Sequence, residues 1–126
     1  MEDLKLVEEW DKVFPQSEKV NHRKVTFKNH FGITLAADLY EPKNYEGKLP
    51  AISVCGPFGA VKEQSSGLYA QEMAERGFLT IAFDPSFTGE SSGEPRSSMR
   101  IHIFSRAPST RRIMTCRGQW FKLVKH

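Results

Sequence analysis

The strongest constraint on the fold is the order of patterns across residues 49–85, which is strand, glycine-containing turn, helix and strand. The first predicted strand, residues 50–55, is a short apolar run without strict alternation, as is typical of a strand buried on both faces. Residues 78–83 form a second such run, and Asp84 closes it because a residue before proline favours extended geometry. This order predicts a βαβ unit and therefore a parallel sheet.

The segment between these two strands, residues 64–76, predicts the connecting helix. Gln71 is expected on its solvent side, together with the acidic residues of the segment. Gly77 follows, where a glycine in the left-handed conformation commonly ends a helix. Four residues recur at helical spacing and are expected to face the core: Tyr69, Ala70, Met73 and Ala74.

Two further elements precede the βαβ unit. Residues 24–28 and 35–39 alternate between polar and apolar side chains around a turn at residues 29–32, which predicts an antiparallel hairpin. Before the hairpin, apolar residues at three- to four-residue spacing predict a short amphipathic helix that ends at Pro15: Leu4, Val7, Trp10 and Phe14.

This order, together with two loops, resembles the beginning of an alpha/beta hydrolase, and within that fold the branch related to dienelactone hydrolase. The loops are Gly-Pro-Phe-Gly at residues 56–59 and Asp-Pro-Ser-Phe-Thr-Gly-Glu-Ser-Ser-Gly at residues 84–93, and the resemblance covers residues 24–96. It implies the N-terminal half of an α/β sheet, which whole members complete with further parallel strands. It also implies hydrolysis of an ester, lactone or similar small acyl substrate at the carboxyl ends of the strands, without a cofactor.

By the same resemblance, the turn at residues 56–59 supplies one arm of an oxyanion hole, where amide groups stabilise the negative charge that develops on a carbonyl oxygen. The candidates are Gly56, Phe58 and Gly59, and Phe58 is the preferred donor because Pro57 has no N–H group. In a chain without a nucleophile, the simpler interpretation is a tight strand-to-helix connection whose glycines serve packing alone.

Residues 89–93 match the G-x-S-x-G pattern of a nucleophile elbow, with Ser91 in the place of the nucleophile. An elbow needs a strand that runs into it and a helix that leaves it, whereas here a loop precedes the match and Glu-Pro follows it. A loop rich in glycine and serine is the ordinary explanation. Because this loop borders the site in related hydrolases, Asp84 and Ser91 are candidates for lining a pocket rather than for attack.

In the hydrolases that this chain resembles, later segments supply a serine or cysteine nucleophile, an acid and a histidine, and none of the three is recognisable here. His22, His30 and Glu63 are expected to be solvated surface residues, and Cys55 a small core residue. No cysteine or histidine spacing indicates a metal site. We therefore expect a hydrolase segment without turnover of its own.

Charge divides the chain near residue 97. Residues 1–96 hold 11 Lys and Arg against 15 Asp and Glu, a net charge of −4, whereas residues 97–126 hold 7 basic residues and no acidic one, a net charge of +7. This tail shows neither helical nor strand periodicity and does not continue the hydrolase pattern. Its composition indicates a shift of reading frame or an internal deletion near Ser97 or, alternatively, a basic extension that binds RNA or DNA.

These observations predict three segments: an N-terminal amphipathic helix and lead-in at residues 1–22, a partial alpha/beta-hydrolase domain at residues 23–96, and an irregular basic tail at residues 97–126. A small complete α/β binding protein is another alternative, and it requires the tail to fold onto the sheet. The third strand lacks its usual neighbour in the hydrolase sheet, so self-association through this edge is expected. No apolar run reaches the ~18 residues of a membrane span and no signal segment is present, which predicts a cytoplasmic location.

Overall fold

The computed structural model describes residues 4–57, 59–94 and 96, and the backbone of residues 112–114 and 120–122. One four-stranded mixed sheet has the strand order β1-β2-β4-β3, in which β1 and β4 each pair antiparallel with β2, and β3 pairs parallel with β4. The predicted hairpin, the predicted βαβ unit and the α/β fold class are confirmed. The elements are β1 (Val20–Lys28), β2 (Thr34–Pro42), β3 (Ala51–Val54), α1 (Ser65–Glu75) and β4 (Leu79–Phe83).

The turn between β1 and β2 is organised by Asn29. Its side-chain oxygen accepts hydrogen bonds from the backbone N–H groups of Phe31 and Ile33, at 2.9 and 3.0 Å. Its own N–H donates to the carbonyl of Ile33 at 2.9 Å. Asparagine favours such turns because its short amide replaces a backbone partner. The turn thereby sets the register in which all nine residues of β1 oppose β2.

The sheet has two apolar faces. On one face, Tyr40 and Ala82 are fully buried against Ala70 and Ala74 of α1. The small side chains of the helix allow it to approach the strands closely. The opposite face holds a second cluster of three buried residues: Leu35, Ala37 and Phe83. Partly buried residues pack around it: Val25, Phe27, Ile33, Cys55 and Ile81. Cys55 was expected to be a buried core residue and is only partly buried.

The buried face of α1 differs in part from the prediction. Ala70 and Ala74 are buried as expected, but Tyr69 is 54% exposed and Gln71 is buried. The amide of Gln71 donates to the carbonyl of Pro15 at 3.0 Å and accepts from the N–H of Ser17 at 3.1 Å. Gln71 is buried because the N-terminal segment supplies both partners, and helical periodicity does not reveal such a partner.

The predicted N-terminal helix is wrong, since residues 4–19 contain none. Trp10 and Phe14 pack edge to face with ring centroids 5.6 Å apart, and the indole N–H of Trp10 donates to the carbonyl of Phe14 at 2.7 Å. Val7 is 49% exposed. The apolar spacing therefore identified two aromatic residues that pack against the fold, but it did not predict their backbone conformation. A helix this short is marginally stable by itself, so tertiary contacts determine the conformation of the segment.

The tail was expected to be irregular. Within it the structure describes two three-residue strands, β5 (Arg112–Met114) and β6 (Trp120–Lys122), which form a separate antiparallel pair. Both strands contain the β-branched or aromatic residues that favour extended structure. The boundaries of the three predicted segments stay predictions. Among the described helices, none has the length and apolar character needed to span a membrane.

Candidate functional site

The loop after β3 and the loop after β4 lie beside each other, because parallel neighbouring strands end at the same edge of a sheet. Asp84, directly after β4, joins the two loops. Its Oδ1 accepts the backbone N–H of Lys62 at 2.8 Å, and its Oδ2 accepts Nζ of the same lysine at 2.9 Å. Asp84 is fully buried. This is the edge at which open α/β sheets bind ligands.

The turn at residues 56–59 packs directly onto the start of α1. A Cβ atom at Gly56 would lie 3.1 Å from Cβ of Ala60 and 3.5 Å from Oγ of Ser66. The N–H of Ala60 donates to the carbonyl of Pro57 at 3.1 Å, and Gly59 has a φ of +82°, a backbone conformation that favours glycine. Phe58, the preferred amide donor, lies outside the described residues. The oxyanion role of Gly56, Phe58 and Gly59 stays a prediction.

The serines of the G-x-S-x-G match extend the hydrogen bonding of β2 beyond the end of β4. Ser91 Oγ donates to the carbonyl of Asp84 at 2.7 Å and accepts the N–H of Ala36 at 2.9 Å. Ser92, the next residue, bonds Thr34 of β2. Its Oγ accepts the N–H of Thr34 at 3.0 Å, and its own N–H donates to the carbonyl of Thr34 at 2.9 Å. These hydroxyls replace strand partners, which gives the match a structural role.

The first glycine of the match is required by Asp84. Gly89 has a φ of +55°, and a Cβ atom there would lie 2.2 Å from Asp84 Oδ2. The same oxygen accepts the N–H of Glu90 at 3.0 Å. The loop also holds Phe87 at a φ of +69°, which is unusual for a bulky residue. Ser91 is buried beneath a shallow depression that Leu4 and Lys5 help to form, and a pocket-lining role for Asp84 and Ser91 stays a prediction.

Lys62 is the centre of a buried ion-pair network that sequence reasoning missed. Its ammonium contacts Asp84 Oδ2 at 2.9 Å and Glu90 Oε2 at 2.7 Å, and it also bonds Glu63. Burial by itself would lower the pKa of Lys62. The carboxylate of Asp84 and the hydrogen bonds to Glu63 and Glu90 outweigh burial, so the pKa is raised above the ordinary value of 10.5.

The network continues from Glu90 to the N-terminal segment. Lys24 Nζ contacts Glu90 Oε2 at 2.9 Å and Asp11 Oδ2 at 2.6 Å, and Lys12 Nζ contacts both Asp11 and Asp38, the latter at 3.1 Å. Burial opposes ionisation of Asp11, but its hydrogen bonds to Lys12 and Lys24 lower its pKa to about 2. The pKa of Glu90 is also lowered, because Lys24 and Lys62 outweigh its burial.

His22 and Glu63, which were expected to be solvated, belong to this network. His22 Nε2 lies 2.8 Å from Asp38 Oδ1 and its side chain is 14% exposed, and the Glu63 side chain is 15% exposed beside Lys62. The expectation was wrong for both because the N-terminal segment covers this side of the sheet. One sequence feature indicated a charged cluster on this side of the sheet. Lys24 and Asp38 are opposed in the hairpin register and carry opposite charges. His30 is exposed, as predicted.

Tyr40 lies beside the acidic residues of the network, on the same face of β2 as Asp38. Its hydroxyl and Asp38 Oδ2 are buried and have no hydrogen-bond partner among the described residues. Burial, with the nearby charge of Asp38, raises the pKa of Tyr40. Tyr40 therefore stays a neutral core residue over the whole ordinary pH range.

The chemistry available at this edge is limited by these pairings. Asp11, Glu63 and Glu90 offer carboxylate oxygens within 4.8 Å of one another, as a hard cation would require. The ammonium groups of Lys24 and Lys62 already bridge these carboxylates, however, so the cluster is ion-paired internally. Within residues 4–57 and 59–94, no hydrogen bond joins a hydroxyl or thiol to an imidazole. The described part of the site supports and positions loops.

Comparisons with known proteins place this geometry in a family. The family model described as X-Pro dipeptidyl-peptidase (S15 family) matches residues 32–105, more than half of the chain, and includes both loops. The chain is 74% identical over 95 residues to the uncharacterized protein PA2218 of Pseudomonas aeruginosa, and 46% identical over 86 residues to the uncharacterized protein YcjY of Escherichia coli. These matches cover 75% and 65% of this chain but 26% and 28% of the relatives, so the chain spans about a quarter of their length.

Solved structures agree with the fold. The crystal structure of PA2218 superposes with a TM-score of 0.73 over 75% of this chain and 30% of that one, at 74% identity. The alpha/beta hydrolase GrgF from Penicillium sp. sh18 superposes with a TM-score of 0.53 at 30% identity, over 60% of this chain and 25% of that one. The alpha/beta-hydrolase resemblance is thus supported, whereas the dienelactone hydrolase branch stays a prediction.

Proposed function

This chain belongs to the S15 family of X-Pro dipeptidyl-peptidases, and from that premise we propose that residues 24–96 are the part of a hydrolase domain that supports its catalytic site. In a whole domain, a serine or cysteine nucleophile with a histidine and an acid would cleave an acyl bond of the substrate. The turn at residues 56–59 would contribute amide groups to the oxyanion hole.

One observation carries this proposal: Asp84 binds both the backbone and the side chain of Lys62. Lys62 lies between the turn at residues 56–59 and helix α1, so the contact holds that turn against the loop after β4. Catalytic donors need such a fixed frame, because they act best when already oriented toward the charge that develops. The burial of Lys62 and Asp84 keeps water from loosening the contact.

We also propose that the 126-residue chain has no turnover. The test is hydrolysis of p-nitrophenyl acetate by the purified chain, with Ser91→Ala as the comparison. The expected rate equals that of buffer containing an unrelated protein of the same concentration. A rate above this background that Ser91→Ala removes, while circular dichroism shows the variant still folded, would show a complete enzyme and would overturn the proposal.

The substrate class is a proposal for whole relatives. A dienelactone hydrolase-related enzyme would open lactones and small esters, whereas the family match names cleavage after an X-Pro dipeptide. Full-length PA2218 assayed with a lactone, an aryl ester and an X-Pro p-nitroanilide would separate the two classes. We place this chemistry in the cytoplasm, which fractionation of cells that express the chain would check.

The charge of the tail favours a second candidate. Residues 97–126 carry a net charge of +7 and no acidic residue, and such blocks are found in nucleic-acid-binding arms. Binding of this kind weakens steeply with salt because counterions are released from the phosphate backbone. A fluorescence titration with single-stranded and duplex oligonucleotides at two ionic strengths would detect it, and the absence of salt-dependent binding would exclude it.

A further inference from the structure

The two edges of the described sheet differ in charge. β1 forms one edge and contains the exposed Arg23 and Lys28, whereas β3 forms the other edge and is the uncharged sequence Ala-Ile-Ser-Val. Charged residues on an edge strand oppose its pairing with another chain. The protected edge is therefore β1, and β3 has no charge of its own that would prevent pairing.

The outward hydrogen-bonding groups of β3 follow from its pairing with β4. The N–H of Leu79 donates to the carbonyl of Pro50 at 2.9 Å, and β3 runs parallel to β4. In a parallel ladder, only alternate residues of a strand bond the neighbouring strand. The backbone N–H and C=O groups of Ile52 and Val54 therefore point toward β4. The N–H and C=O groups of Ala51 and Ser53 consequently point away from the sheet. Ala51 is exposed.

We propose that two copies of this chain pair antiparallel through β3, with the outward backbone groups of Ala51 and Ser53 bonding the second copy. A two-fold axis perpendicular to the sheet makes such a contact and joins the two four-stranded sheets into one of eight strands. The proposal rests on the sheet geometry alone and does not depend on the hydrolase assignment.

The outward groups allow two registers about the axis. In one, Ser53 opposes Ser53 of the second copy, and each N–H donates to the carbonyl of the other residue. In the other, Ile52 opposes Ile52 as a non-hydrogen-bonded pair, and Ala51 and Ser53 bond each other across the axis. Both registers use the outward N–H of Ser53.

Four residues make a small contact, well below the ~1,200 Å² of a standard interface, so the association is expected to be weak, with a Kd above about 1 µM.

Sedimentation velocity over about 5 to 500 µM covers the range expected of so small an interface. The average mass of the wild-type chain should rise from 14.4 kDa toward twice that value with concentration. Ser53→Pro removes an outward N–H and leaves the bonds of β3 to β4 in place, so this variant should stay at monomer mass.

Thr26→Pro is the matched control on the β1 edge. The bond from the N–H of Asn29 to the carbonyl of Ile33 sets the alternation of the hairpin, and it directs the N–H of Thr26 away from β2. Thr26→Pro should therefore associate like the wild type. Circular dichroism of both variants checks that each retains the sheet and helix.

Ala51→Lys is a second, milder variant at an exposed position of β3. Two added charges near the axis should weaken association, and added salt should restore part of it. Amide hydrogen exchange by NMR gives an independent readout, since the Ser53 N–H should become protected as concentration rises while the Thr26 N–H does not.

Three results from sedimentation would overturn the proposal. They are a mass that stays constant over the whole range, association that survives both Ser53→Pro and Ala51→Lys, and association that Thr26→Pro removes. A Ser53 amide that is protected at every concentration would show that the edge is covered within one molecule, which also contradicts pairing between copies.

Discussion

Lys62 holds the carboxylate of Asp84 by two separate hydrogen bonds, from its backbone N–H at 2.8 Å and from its Nζ at 2.9 Å. Each bond uses a different oxygen of the carboxylate, so the side chain of Asp84 cannot rotate without breaking both. A single buried residue thus connects the loop after β3 with the loop after β4. The rest of the network stabilises this connection by surrounding Lys62 with further carboxylates.

Replacing Lys62 should destabilise the fold strongly. Lys62→Met leaves the buried carboxylate of Asp84 without its ammonium partner, and the loss of one member of a buried pair costs about 3–5 kcal/mol. Urea denaturation followed by circular dichroism measures the change in the free energy of unfolding. Lys48→Met, at an exposed lysine, is the control and should change it by less than ~0.5 kcal/mol.

A double-mutant cycle tests whether Lys62 and Asp84 act as a pair. Because Asp84→Asn removes the charge that Lys62→Met leaves uncompensated, the double variant should be more stable than the sum of the single changes predicts. Additive effects in the cycle would mean that the two residues stabilise the loops independently, contrary to the geometry.

Ser91→Ala should destabilise the protein because Ser91 bonds two buried backbone groups. The hydroxyl bonds the carbonyl of Asp84 and the N–H of Ala36, and both groups would remain buried without a partner, at a cost of about 2–4 kcal/mol for the two bonds. Thermal unfolding measures the loss. Ser65→Ala, at an exposed serine, should leave the melting temperature nearly unchanged.

Gly67→Ala should destabilise the protein although alanine is the better helix former. A Cβ atom at this position of α1 would lie 2.2 Å from the carbonyl oxygen of Lys62 and 3.1 Å from the ring of Phe14. Helix propensity favours alanine by about 1 kcal/mol, and overpacking against backbone opposes it by about 1–3 kcal/mol or more. We expect a net loss in the free energy of unfolding, and a net gain would contradict the packing of α1.

Stability should fall at acid pH through Asp11 and Glu90. The folded-state pKa of Asp11 is lowered to about 2 from 3.8, and that of Glu90 is lowered from 4.5. Groups with a lowered pKa stabilise the fold above their unfolded values, and this stabilisation is lost as the pH falls through the folded values. The melting temperature should therefore decline below about pH 4.5.

Lys24→Met is the variant that tests this origin. Without the ammonium, the pKa values of Asp11 and Glu90 should move back toward their unfolded values, so the decline in melting temperature should be shallower than in the wild type. An unchanged slope would assign the acid sensitivity to other groups.

At the alkaline end, the pKa values of Lys24 and Lys62 are raised in the folded state. Their contribution to stability is complete below about pH 10.5 and is lost as the pH rises through the folded-state values.

Local patterns predicted most of the sheet. Alternation in residues 24–28 and 35–39 identified the hairpin, and two unbroken apolar runs around a helical segment identified β3, α1 and β4. These predictions succeeded because strand and helix periodicities depend on neighbours close in the chain. The prediction of an N-terminal helix was wrong. Apolar spacing identified Trp10 and Phe14 as core-facing residues, but it could not show that tertiary contacts rather than a helix position them.

The site was predicted less completely. The turn at residues 56–59 and the loop at residues 84–93 lie within the family match, and their roles in a site stay predictions. The sequence did not reveal that Glu63 and His22 would be partly buried in an ion-pair network, or that Ser91 would bond β2. Each of these depends on a partner between 16 and 55 residues away or on cover from the N-terminal segment.

The amino-acid order alone determined the class of fold, the strand and helix order from β1 to β4 and the uneven charge of the chain, because these properties arise from local spacing and from counting. Tertiary structure decided which charged side chains are buried and what the G-x-S-x-G residues do. The reason is physical: a lysine such as Lys62 is stable inside a protein only where carboxylates from separate segments converge on it, and that convergence exists only after folding.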